Sequence, residues 1–205
     1  MYNFPSPQGV IGFTGNIGGP HIFNFSDEMP SITLSFTFVD INDGGHGENF
    51  SDAEIAEKRI DGNNLSWMYL KFEEGVGRQN FGFYDDINLP DSPSVSFNPP
   101  IVDFPDNLTY QSYFTGSTNF NASLGSYDLD IEYSFTGFVD GYGNCILPDD
   151  LGTYECIQVN YSEEYVYYFY GTPIQYSYIR SYYYLAEELG IVAIITSLED
   201  TNPVP

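Results

Sequence analysis

Three carboxylates alternate along YDLDIEYSF (127–135): Asp128, Asp130 and Glu132. If this run is a β-strand, its two-residue period puts all three on one face. Carboxylates held side by side split their proton affinities, and such a set can supply a nucleophile and a general acid/base. The same spacing on a solvent-facing strand is ordinary polar surface. A second acidic group lies in DINDGGHGENFSD (40–52), where Asp40, Asn42, Asp43, Glu48 and Asp52 surround a glycine-rich turn. Hard oxygen donors on a backbone free to curl suit Ca2+, the expected cofactor if one is bound. Gly44 stands where the EF-hand order needs its third ligand, and a solvated acidic loop has the same composition.

The chain has two cysteines, Cys145 and Cys156, on either side of PDDLG (148–152). With a four-residue DDLG loop closed by Pro148 and Thr153, Cys145 stands opposite Cys156 and a cross-hairpin disulfide is expected. A three-residue loop ending in a Gly152 bulge slips the register by one and turns the thiols to opposite faces. His21, His46 and the two cysteines lack zinc-ligand spacing. No Gly-x-Ser-x-Gly marks a nucleophilic serine.

The elements that must position these groups are strands. SITLSFTFV (31–39) alternates Ile32, Leu34, Phe36 and Phe38 with serine and threonine, the pattern of a half-buried antiparallel strand. Further strands are expected at 67–73, 80–84, 108–114, 127–139, 143–147, 154–161, 164–170, 175–184 and 191–198. SDAEIAEKR (51–59) carries Ser51 as N-cap, Glu54 three residues on and late basic residues, which predicts one short helix. YYYLAEELGIVAII predicts a hairpin, with Gly190 at a left-handed turn position. The proline-rich stretch 86–100 predicts a loop or crossover. Dense strands with short links give an all-β fold: an antiparallel β-sandwich, jelly-roll-like or Ig-like, with one short helix. It forms one domain over 1–198, with an extended N-terminal arm (1–10) and a linker or tail at 199–205.

Composition narrows the partners. Against 29 acidic residues stand 5 basic ones, for a net charge of -24. Such a surface repels nucleic acid and anionic lipid headgroups. No apolar run is long enough to span a membrane, and the first residues show neither a basic n-region nor an apolar h-region. Asn-x-Ser/Thr occurs at Asn24, Asn49, Asn64, Asn107, Asn121 and Asn160, candidate glycosylation sites of an extracellular protein. Late tyrosines, among them Tyr165, Tyr167, Tyr176 and Tyr178, fit either a glycan-stacking platform or cross-strand packing.

The run VDGYGNCILPDDLGTYECIQVNY (139–161), preceded by FNPPIVDFPDNLTYQSYFTGS (97–117), resembles a β domain of exported Bacteroidetes-type proteins with a VDGYGTLTLP-like hairpin. Val139, Asp140, Gly141, Tyr142, Gly143, Leu147, Pro148, Gly152, Thr153, Tyr154 and Val159 match, and the likeness covers about 95–198. The basic residues common after that hairpin are absent, since this chain reads CIQVNY. The resemblance implies type IX export and an extracellular or cell-surface domain, and names no reaction. Separately, Asp128, Asp130 and Glu132 are similar to the Glu-x-Asp-x-Glu strand of laminarinase-like glycoside hydrolases, with Asp in place of the first Glu. The reading that follows is a non-enzymatic structural or adhesive protein whose partners are other copies of itself or surface glycans. The alternative is a carbohydrate-active module.

Overall fold

A computed structural model describes residues 2–4, 17–27, 32–44, 46–61, 64–91, 93–125, 127–148, 151–187, 189–197 and 200–203. The strands are β1 (Tyr2–Phe4), β2 (Gly18–Asn24), β3 (Ile32–Asp40), β4 (Ile55–Asp61), β5 (Asn64–Glu73), β6 (Gly77–Tyr84), β7 (Ser94–Pro105), β8 (Tyr113–Leu124), β9 (Tyr127–Ile146), β10 (Thr153–Phe169), β11 (Thr172–Ala186), β12 (Gly190–Thr196) and β13 (Asp200–Pro203). From β3 to β12 each strand pairs antiparallel with the next, so ten strands form one meander. The sheet curls, and β1 lies between its two ends, parallel to β12 and antiparallel to β3.

Two joints in this sheet are narrow. The β7–β8 ladder is reduced to Asn98 opposite Asn119, supported by the Thr118 hydroxyl donating to the Pro99 carbonyl at 2.6 Å. The β1–β3 joint is Tyr2 with Thr33 and Asn3 with Ile32. By contrast β9 and β10 pair along nearly their whole length, from Asp130–Tyr168 to Ile146–Thr153. Beyond the end of β8, the free edge of β9 is taken by β2, running parallel.

Alternation puts one face of each strand inside the curl. There Phe114, Phe120, Leu129, Ile131, Tyr133, Phe135, Val139, Val159 and Tyr161 form the main core. A β-bulge at Asp140 then inverts β9: Val139 pairs with Val159, but Gly141 pairs with Gln158. Odd residues of β9 before the bulge face the main core. Cys145 and Leu147, after it, join a second cluster with Phe23, Phe25, Tyr182, Tyr184 and Ile195. A third cluster, Phe50, Ala53, Ala56 and Tyr69, lies under the loop after β3.

Several expectations change. The short helix at 51–59 is not formed. Ile55–Asp61 is strand β4, flanked on both edges by β3 and β5. Capping-box signals are local, and two full ladders outweigh them. The expected all-β, antiparallel class is observed, and the described strands form a curled sheet. Turn-punctuated alternation is common to meanders and to Greek-key sandwiches, so sequence does not separate them. Residues 200–203, expected within a linker, pair with β11 as β13. The N-terminal arm is extended at 2–4, and its other residues lie outside the described set. The hairpin at Gly190 forms as expected, with Ala186 opposite Gly190.

Gly143, in the resemblance motif, has φ +154, and a Cβ there would overlap the His21 carbonyl of β2. We expect Gly143→Ala to cost about 1–3 kcal/mol in urea unfolding, from overpacking and backbone strain together. Gly75→Ala, at φ +80 with open space around it, should cost less. Equal costs would show that β2 does not sit against Gly143.

Candidate functional site

The interior of the curl holds a cavity of about 430 Å³, within the range of small-molecule sites. Its walls combine aromatic rings, among them Phe97, Phe104, Phe120, Tyr133, Tyr161, Tyr165 and Tyr183, with charged groups that an apolar core would reject. Those charges arrive on inward-facing strand positions: Arg59 from β4, Arg78 from β6, Asp103 from β7 and Glu163 from β10.

Arg78 is their organiser. Its Nε donates to Asp103 Oδ1 at 2.8 Å and its second terminal nitrogen to Oδ2 at 2.6 Å, a fork-on-fork pair. A third nitrogen lies 3.6 Å from Glu57 Oε2, and Glu57 Oε1 accepts from Arg59 Nε at 2.7 Å. The Arg78 guanidinium lies 4.8 Å from the centre of the Phe104 ring. Burial works against its charge, but the Asp103 and Glu57 carboxylates more than offset this and leave it a firmer cation than usual.

Glu163 is held differently. Its Oε1 accepts from Tyr133 Oη at 2.9 Å and Tyr165 Oη at 3.3 Å. Burial pushes its carboxyl above the usual range, while the two hydroxyls pull the other way. Burial also raises Tyr133, Tyr161, Tyr165 and Tyr183, so these phenols keep their protons at neutral pH.

None of these five residues (Glu57, Arg59, Arg78, Asp103 and Glu163) was singled out in the sequence. One signal was there: in QVNYSEEYVYYF, Glu163 shares its face with Val159, Tyr161, Tyr165 and Tyr167. It is the charged position in an apolar alternation. Asp103, two residues after Ile101, shows the same anomaly in β7.

The residues expected from sequence lie elsewhere. Asp128, Asp130 and Glu132 do share one face of β9, and it is the exposed one. Each carboxylate accepts from a neighbouring strand: Asp128 from Ser123, Asp130 from Asn121 and Glu132 from Tyr168. In the 40–52 loop, Asp40 Oδ1 accepts from the backbone and side chain of Asn42, which holds its carboxyl below the usual range. Asn42 and Glu48 line one shallow cleft, while Asp40, Asp43 and Asp52 are not part of its wall. Among the described residues no three acidic, histidine or cysteine groups are gathered for a metal ion. The loop is anchored by aromatic stacking, Phe50 on Tyr69 at 4.0 Å and His46 on Tyr84 at 3.4 Å. Burial, helped by Glu48, pushes Tyr69 up to about 12.

Cys145 and Cys156 are free and buried, and the expected disulfide is absent. The turn is longer than the four-residue loop requires: Ile146 pairs with Thr153, and Leu147 donates to the Gly152 carbonyl. Cys145 therefore faces Tyr154 and Cys156 faces Gly143. A two-residue shift keeps both thiols on one face as diagonal neighbours, and their mutual hydrogen bond, then burial, raises the Cys145 thiol. Of the six glycosylation sequons, Asn24, Asn49, Asn64, Asn107 and Asn121 are exposed and Asn160 is half-buried.

Asp140 is buried and accepts from Gln158 Nε2 at 2.7 Å, and Tyr184 donates to Gln158 Oε1 at 3.2 Å. No family model, curated protein or solved structure matches the chain. Among the described residues no helix is long and apolar enough to cross a membrane.

The position of Glu163 sets a pH dependence. Its folded-state proton affinity exceeds the unfolded one, so its contribution is fully present below the ordinary carboxylate range and is lost as pH rises through the folded pKa. Glu163→Gln keeps an acceptor for both tyrosines and has no charge to desolvate. Its urea midpoint should match the parent's near about pH 4 and exceed it near about pH 8. A gap that stays constant with pH would contradict the burial of this carboxylate.

Proposed function

We propose that the protein is an extracellular structural or adhesive β module whose copies associate by exchanging the N-terminal strand. The observation that carries this reading is β1. This three-residue strand bridges β12 and β3, the two ends of a ten-strand meander, and residues 5–17 separate it from β2. Take β1 away and both end strands present unpaired backbone, the usual template for adding a strand from another chain. A β1 from a second copy fits the same slot with the same pairing.

In this reading the halves β3–β7 and β8–β12 act as two sandwich-like layers facing each other across the aromatic core. The narrow β7–β8 and β1–β3 joints are where the layers meet. The net charge of -24 keeps free copies apart, so association rests on backbone pairing at one slot. Export of the Bacteroidetes type fits the hairpin resemblance, and the exposed sequons and scarce lysine suit an outer-surface component. Exposed Tyr127 and Tyr170 flank Phe169 at one end of the sheet, with ring centres 5.5 and 4.4 Å from it, and offer aromatic faces to a glycan or surface.

Light scattering after size exclusion tests the reading. The full chain should associate increasingly with concentration, and a chain lacking residues 1–10 should be monomeric yet still unfold cooperatively. Association that survives the deletion, or a parent monomeric at every concentration, would rule out strand exchange.

A further inference from the structure

The charges inside the curl do not balance. Two guanidiniums, Arg59 and Arg78, are matched by the carboxylates of Glu57 and Asp103 through the contacts given above. Glu163 is a third interior carboxylate, and no cation touches it among the described residues. Both tyrosine hydroxyls converge on Oε1, and among the described residues no group hydrogen-bonds Oε2. The surface around it is aromatic. The rings of Tyr133 and Tyr165 stack at 4.7 Å, Phe97 lies 6.3 Å from Tyr133, and Tyr161 meets Tyr183 at 5.4 Å.

An unmatched carboxylate among electron-rich rings is complementary to a particular ligand. The carboxylate supplies the opposite charge, and the ring faces add a quadrupole attraction that strengthens out of water. A hydrated metal ion is poorly served, because calcium or magnesium needs several oxygen ligands and this corner offers one carboxylate and phenols. An anion would have to displace Asp103 or Glu57 from their arginines. A monovalent organic cation needs neither, and it matches the charge of the Glu163 carboxylate.

We propose that the interior cavity binds a compact organic ammonium ion, primary or quaternary, with Glu163 as its counter-ion and the rings of Phe97, Tyr133, Tyr165 and Tyr183 as its walls. The Arg59 side chain, 31% exposed, lies where the cavity meets solvent. Asp85, on the same wall, adds negative charge that attracts a cation.

Binding is linked to protons. The groups facing Glu163 are Tyr133 from β9, Tyr161 and Tyr165 from β10, Tyr183 from β11, Asp103 from β7 and, across the cavity, Arg78 from β6 with Glu57 and Arg59 from β4. Burial keeps the protons on these tyrosines, and Glu163 is a cavity carboxyl whose proton affinity burial raises. Burial favours its protonated form in the empty cavity, and an entering cation favours the carboxylate, so binding expels the proton.

Calorimetry on the full chain tests this with benzyltrimethylammonium as cation, benzyl alcohol as neutral control and phenylacetate as anion. Saturable one-to-one binding is expected for the cation alone, with proton release in buffers of different ionisation heat and affinity falling as pH is lowered from about 8 to about 5. Glu163→Gln, which should fold at least as well as the parent, should weaken binding at least about tenfold. Tyr165→Phe removes one hydrogen bond but keeps the ring, and should change affinity less. Unchanged affinity in Glu163→Gln, equal binding of phenylacetate or benzyl alcohol, or no saturable binding of the cation would overturn the proposal.

Discussion

The two-pronged ion pair between Arg78 and Asp103 is the constraint around which the interior is arranged. Both side chains lie deep in the curl, 13% and 8% exposed, where an unpaired charge would be very costly. Each survives because the other is there, and because Glu57 meets the remaining face of the guanidinium. The pair links neighbouring strands β6 and β7 and reaches β4 through Glu57. Its charged groups share the cavity wall with aromatic rings. Replacing such a pair by well-packed apolar residues can stabilise a protein, and in the binding role proposed above the pair serves as part of the cavity wall.

The rest of the sheet serves two faces at once. Long strands such as β9 and β10 carry core residues inward for most of their length. After the bulge at Asp140, β9 turns the same parity outward, toward Phe23 and Phe25. That switch lets β2 pair with the end of β9, and it places both cysteines in a dry cluster away from the cavity. The two carboxylate groups read most easily as chemistry, on β9 and in the 40–52 loop, lie on exposed surface, and the three on β9 and Asp40 of the loop are hydrogen-bonded to nearby residues. Their acidity contributes to the strong negative field of the outer face. The interior charges do different work, because low polarisability there makes each of them selective.

Much of the strand content could be read from period-two patterning. SITLSFTFV gives β3, YDLDIEYSF opens β9, and the Gly190 hairpin follows from its turn residue. What was lost depended on partners distant in sequence. IAEKRID looks helical locally and becomes β4 because β3 and β5 flank it. β2 holds two glycines and a proline, weak strand formers, and its pairing with β9 is parallel and remote. The cysteine register turned on two residues of loop length, and a shift of two preserves the face while moving the partner. The cavity was the least legible, since Arg78, Asp103 and Glu57 come from three strands and nothing local marks them as neighbours. Glu163 and Asp103 were visible only singly, each as a charge on an apolar stripe.

A double-mutant cycle on Arg78 and Asp103 tests the central claim most directly. Arg78→Met and Asp103→Leu, alone and together, would be compared by urea unfolding. Each single change should cost about 3–5 kcal/mol, because it strands a buried charge, and the double change should cost much less than their sum. Additive losses, or single changes worth only a few tenths of a kcal/mol, would mean that the two groups are solvated separately and that no buried pair organises the interior.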